Sequence, residues 1–157
     1  MLDPKAIIET LNRHRVEYLI IGGVAATLHG CPEQTFDVDI LYNAAKENKD
    51  RLLTALDEME ARWDEPLTGA ALEKQSVFAL NTKYGDLDIF SYVPGIGDFH
   101  EALQYREDSR YADVEMRMLS LEGWLKSKEA VIGEERNPRK LGAIEYMKTL
   151  KGMKRGK

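Results

Sequence analysis

Apolar and polar positions change period several times along the chain, and each change marks an element. In "DPKAIIETLNRH" the residues Ile7, Ile8 and Leu11 recur at helical spacing, with Asp3 placed as N-cap and Pro4 in the first turn. "EYLIIGG" is apolar throughout and reads as a buried strand, and "VAATLHG" reads as a short helix closed by Gly30. "TFDVDILY" alternates and predicts a strand with two unlike faces. "AAKENKDRLLTALDEMEAR" is an amphipathic helix. "SVFALNT" and "DLDIFSY" predict two strands joined by a tight "KYG" turn. Further on, "FHEALQYRED" reads as a short helix and "YADVEMRML" as one weakly alternating strand. "SLEGWLKSKEAV" and "NPRKLGAIEYMKTLK" predict two closing helices, capped by Ser120 and Asn137. The order αβαβαββ(α)βαα predicts an α/β (α+β) domain with a mixed sheet, flanking helices and C-terminal helices.

The strand patterns place acids where a buried sheet does not tolerate them. Asp37 and Asp39 are two residues apart, so their side chains share one face, with Cα atoms about 6.5–7 Å apart. Val38 and Ile40 point to the opposite, core face. Two ionised carboxylates held so close repel, and a divalent cation relieves the repulsion; an oxygen-only donor set suits Mg²⁺ or Mn²⁺. "GDLDIF" sets Asp86 and Asp88 on one face of another strand, with Leu87, Ile89 and Phe90 read as core. A carboxylate there can complete a metal site or take a proton from an attacking hydroxyl. Gly22 and Gly23 stand between a strand and a helix, where backbone N–H groups can approach a phosphate closely. Each feature also has a plainer reading. A glycine pair makes turns, D-x-D lines solvated strand faces, and Asp86 follows Gly85 as turn chemistry. His29 reads as a helix-end residue, Cys31 as a small packing residue, and Trp63 and Trp124 as structural.

Composition narrows the class without selecting the chemistry. The 157 residues are 43% hydrophobic and 31% charged, an ordinary globular balance expected to form a single domain over 1–157. Its core is expected over about 17–118, a helical part over about 119–150 and a basic tail over 148–157. One cysteine excludes an internal disulfide, and no Cys/His cluster suggests zinc. The first residues do not resemble a signal peptide, and the longest apolar run, Tyr18 to Leu28, is too short to span a bilayer. A cytoplasmic, membrane-free protein is expected. The net charge is −5, yet the last ten residues hold five basic groups and no acid, so the remainder carries −10. An acidic body disfavours a long nucleic-acid partner. The tail is read as a frayed, solvated terminus, with a phosphate-binding arm as the other reading.

Taken together, the glycine pair, a short helix ending in "HG", T-x-D-x-D and a later "LDI" strand resemble the nucleotidyltransferase fold of the DNA polymerase β superfamily. "YLIIGGVAATLHG" and "TFDVDIL" look like small nucleotidyltransferase-like proteins, some related to abortive-infection toxins of toxin–antitoxin pairs. The resemblance covers about residues 17–92 well and the rest loosely. It implies metals on Asp37, Asp39 and Asp88, and catalysis by the same three acids. It implies nucleotide binding at Gly22, Gly23, Thr35 and Lys128. It implies transfer of a nucleoside monophosphate from a nucleoside triphosphate to a hydroxyl acceptor, with pyrophosphate released. The acceptor stays open among a small molecule, a tRNA end and a protein side chain. The chain departs from the pattern at Glu33 and Phe36, where relatives often carry basic residues. Arg136 fits only roughly, and Lys140 stands where an aspartate is expected. Two functional readings therefore remain: a metal-dependent nucleotidyltransferase, and a nucleotide- or partner-binding module of the same fold without turnover. An unrelated α+β protein is the third.

Overall fold

The computed structural model describes residues 1–155, with side chains through Met153. Helix α1 (Pro4–Arg13) starts where expected, with the Asp3 carboxylate accepting from the Ala6 amide. Strand β1 (Tyr18–Ile21) is buried on both faces and leads directly into α2 (Gly22–Leu28). The glycine pair is therefore the first turn of that helix, not a linker before it. Gly30 follows with φ +108°, the left-handed stop that glycine tolerates. Next come β2 (Asp37–Tyr42), α3 (Lys46–Glu58) and α4 (Gly69–Leu72), the last capped by the Thr68 hydroxyl. Strands β3 (Val77–Thr82) and β4 (Gly85–Phe90) form the expected hairpin.

The following segment differs from the sequence reading. The helix in "FHEALQYRED" is only α5 (Phe99–Ala102), extended by a 3₁₀ turn at Leu103–Tyr105. The chain then enters β5 (Arg106–Tyr111), which pairs antiparallel with β6 (Val114–Leu119), so two strands stand where one was expected. Helices α6 (Leu121–Glu129) and α7 (Pro138–Arg155) close the chain, with Ser120 accepting from Gly123 and Asn137 from Arg139. Helix α7 takes in the basic segment up to Arg155, so the expected frayed tail is helical there, and Lys148 pairs with Glu129 and Glu145. Gly156 and Lys157 lie outside the described residues.

The six strands form one mixed sheet in the order β3-β4-β2-β1-β6-β5. Strand β2 runs antiparallel to β1 and parallel to β4. On one face, Ile20, Val38, Ile40, Phe78, Leu80, Leu87 and Ile89 join Ile7, Ile8 and Leu11 of α1 and Leu52 and Leu56 of α3 in the main core. The other face is divided. Leu19, Ile21 and Leu41 are covered by a second cluster containing Val93, Ile96 and Phe99. Phe90 packs against this second cluster, because it shares the parity of Asp86 and Asp88 rather than that of Leu87 and Ile89. The remaining part of that face, toward the N-terminal ends of β2 and β4, carries acids instead of apolar side chains. No helix among the described residues is long and apolar enough to cross a membrane.

Candidate active site

The parallel pairing of β2 and β4 sets Asp37 beside Asp86 and Asp39 beside Asp88, two rows of acids on adjacent strands. Alternation sends Val38, Ile40, Leu87 and Ile89 to the core, which fixes the acids on the opposite face. Asp37, Asp39 and Asp88 are each half-buried and bring one carboxylate oxygen apiece within 4.8 Å of one another. Asp86 stays out of this group: it is exposed, and the Asn81 amide donates to its Oδ1 at 2.6 Å.

Convergence leaves these carboxyls hard to ionise. Burial, followed by the charges of Asp37 and Asp88, pushes Asp39 up to about 7. A hydrogen bond between the Asp39 and Asp88 carboxyls raises Asp39 and favours the charged form of Asp88. Asp88 still lies above its ordinary value, through burial and then Asp37. Asp37 is raised by burial and Asp86, against the pull of Lys140 and Lys128. These are like charges desolvated together without full compensation. A hard cation on oxygen ligands answers that deficit, so the donor set fits Mg²⁺ or Mn²⁺.

The glycine pair is fitted to this cluster. Gly22 has φ +71°, and a Cβ there would overlap Asp39 Oδ2 and lie 2.8 Å from its Cγ. A Cβ on Gly23 would lie 2.6 Å from Thr35 Oγ1. Close approach to side chains of the neighbouring strand region thus requires glycine at both positions. The Thr35 hydroxyl donates to the Asp37 carbonyl at 2.9 Å, which holds the entry to β2. Trp124 of α6 donates its indole N–H to the Gly22 carbonyl at 3.0 Å.

Two lysines complete the surroundings. Lys128 lies one helical turn beyond Trp124, with Nζ 5.6 Å from the indole centre. Its ammonium is pushed below the usual lysine value by burial and then by Lys140, while Asp39, Glu135 and Asp37 oppose the change. Lys140, in the first turn of α7, thus acts on both Asp37 and Lys128. Arg136 is turned to its own loop and donates to the Gly133 carbonyl at 2.7 Å. Glu33 and Phe36 are exposed, Phe36 at 73%. His29 is buried, with Nε2 2.8 Å from the Leu119 carbonyl, and Cys31 is buried, so both belong to the packing.

The sequence reading missed Trp124 and Lys140 as members of this region. The spacing of Trp124 and Lys128, four residues apart on one helix, places them on a common face and was the available signal for Trp124. Lys140 was noted only as the absence of an aspartate. Its nearness to Asp37 depends on how α7 docks on α6, which no local pattern encodes.

The chain has the nucleotidyltransferase fold. It is similar to the lincosamide antibiotic adenylyltransferase LnuA in its lincomycin-bound form, at 17% identity and a TM-score of 0.66, over 95% of this chain and 98% of that one. It is similar to ANT(2″)-Ia in complex with adenylyl-2″-tobramycin, at 16% identity and a TM-score of 0.61, over 98% of this chain and 95% of that one. A third likeness is an antigenic nucleotidyltransferase-like protein from Paracoccidioides brasiliensis, at 18% identity and a TM-score of 0.55, over 92% of this chain and 72% of that one. No protein-family model matches the chain, and no curated protein matches it as a relative.

Proposed function

We propose that this protein is a metal-dependent nucleotidyltransferase that moves a nucleoside monophosphate from a nucleoside triphosphate to a hydroxyl acceptor and releases pyrophosphate. The observation that carries the reading is the convergence of Asp37, Asp39 and Asp88 beside a glycine pair on this fold. Asp37, Asp39 and Asp88 would hold Mg²⁺ or Mn²⁺, and the bound cation supplies charge neutralisation for the triphosphate and for the leaving pyrophosphate. Asp88 accepts the proton of the attacking acceptor hydroxyl. Backbone N–H groups at Gly22 and Gly23 and the ammonium of Lys128 receive the phosphates, and Thr35 keeps the glycine turn and β2 in register. Positioning and charge neutralisation supply most of the rate in such a site.

The neighbours bound to lincomycin and to adenylyl-2″-tobramycin favour a small hydroxylated molecule as acceptor. Exposed Phe36 and Glu33 beside the acids favour the second reading, a binding module that holds nucleotide or a partner without turnover. Pyrophosphate release separates the two. Each common triphosphate is supplied with Mg²⁺ and a pool of metabolites, tRNA or proteins. Release by the wild type that disappears in Asp88→Asn supports the enzyme. Nucleotide binding without release from any pool supports the module.

A further inference from the structure

We propose that Trp124 is a positioning residue, whose indole N–H braces the glycine turn against Asp39 and so sets the metal affinity of the carboxylate cluster. The inference rests on the reading of that cluster as a metal site. The β1–β2 ladder ends at the pair Ile21–Asp39, so the backbone immediately after it, at Gly22, is no longer held by strand pairing. At that point the chain takes φ +71° and lies hard against the Asp39 carboxylate. A small shift of Gly22 therefore either crowds Asp39 or releases it. The contact that fixes Gly22 from outside the helix comes from Trp124, 102 residues further along the chain, through a buried hydrogen bond of 3.0 Å. The same side chain carries Lys128 over its ring. One indole thus touches the glycine turn on one side and the lysine proposed to receive phosphate on the other. A buried indole N–H needs an acceptor, and here the acceptor is the carbonyl of the turn that presses on Asp39. Trp63, half-buried and packed edge-on against Phe78 with ring centres 4.8 Å apart, makes no bond to that turn and serves as the control.

The test is Trp124→Phe, which keeps a ring beneath Lys128 and removes the N–H donor. Titration calorimetry of the full chain with Mg²⁺ and with Mn²⁺ is expected to show about tenfold weaker binding in Trp124→Phe, in the range seen when groups that orient metal ligands are removed. Trp63→Phe is expected to bind as the wild type does. In wild-type ¹H–¹⁵N spectra, the indole resonance of Trp124 should shift as Mg²⁺ is added while that of Trp63 stays. In metal-free Trp124→Phe, amide exchange should rise at Ala26, whose N–H points to the same Gly22 carbonyl from within α2, ahead of the rest of the core. Equal metal affinity in wild type and Trp124→Phe overturns the proposal. So does a Trp124 indole resonance that does not move at saturating Mg²⁺, a result that decides the matter even if the variant fails to fold. Should the wild type bind neither ion, the metal reading fails by itself. The bracing is then judged by exchange alone, and unchanged protection at Ala26 overturns it.

Discussion

Replacing Asp39 by asparagine removes one charge from the cluster and nearly preserves its shape. In the folded protein the Asp39 carboxyl titrates at about 7, against 3.8 for the free side chain. A raised carboxyl means that the native state binds the proton more tightly than the unfolded state. The stabilising contribution is therefore complete below about pH 4 and is lost as pH rises through about 7. Roughly three pH units at about 1.4 kcal/mol each give an upper limit of about 4 kcal/mol. Solvent screening of a half-buried group brings the working figure to about 2 kcal/mol. At pH 8, in low salt with chelator, Asp39→Asn should melt higher than wild type by about 4–8 °C for a domain of this size. The gap should narrow steadily as pH falls and close only near pH 4 and below, where the carboxyl holds its proton in the folded and the unfolded state alike. The assay is a series of thermal melts of both proteins from pH 4 to pH 8. Adding Mg²⁺ at pH 8 should raise the wild type toward the variant and leave the variant much less affected. Equal melting of the two proteins at pH 8 without metal refutes the account of Asp39 as a strained anion. A gap of the same size at pH 4 refutes it equally.

Four further outcomes are expected. Mg²⁺ at a hundred times its dissociation constant should stabilise the wild type by about 2.7 kcal/mol, read as a rise of roughly 5–10 °C in the melt. Gly22→Ala should lose about 1–3 kcal/mol in chemical denaturation and also lose metal binding, because a left-handed backbone and the Asp39 carboxylate both oppose a Cβ. Lys128→Met should weaken triphosphate binding by about 1.5–3 kcal/mol, the worth of a charge-assisted hydrogen bond, measured by calorimetry with a non-hydrolysable analogue. Lys140→Met, at an exposed position, should weaken the same binding by less than about 1 kcal/mol, and more at low salt than at high.

Where sequence and structure agree, the reason is strand parity. A period of two decides which face Asp37, Asp39 and Asp88 occupy as soon as Val38, Ile40, Leu87 and Ile89 are assigned to the core, and the structure buries all four of those residues completely. The same rule assigns Phe90 to the acid-bearing face, and reading it as core beside Ile89 ignored its parity. Strand β5 was illegible for a different reason. "REDSRY" is an edge strand with no buried residue, so it shows no apolar alternation. Its turn into β6 passes through Ala112 at φ +55°, without the glycine or asparagine that usually marks such a bend. Helix α4 is four residues long, shorter than any window in which helical period shows. The basic segment before Arg155 looked solvated because its charges dominate its composition, whereas Ile144 and Met147, buried earlier in α7, already commit the helix to the core.

The glycine pair shows how the lack of a Cβ can answer to the protein's own packing. Its absence of Cβ suggested room for phosphate, but the nearest atoms to that space belong to Asp39 and Thr35. These glycines are required by the protein's own strand before any ligand arrives. A phosphate reading at Gly22 and Gly23 therefore depends on backbone direction more than on emptiness, and the Trp124 hydrogen bond meets that backbone at the Gly22 carbonyl. The cations follow the same logic. Glu33 and Phe36 leave the loop before β2 without positive charge, and Arg136 is spent on its own turn. Positive charge reaches Asp37 instead from Lys128 and Lys140, on two helices that meet only in the folded chain. Since both lysines arrive from the C-terminal helices, the docking of α7 on α6 fixes the balance of charge at acids that lie about a hundred residues earlier in the chain.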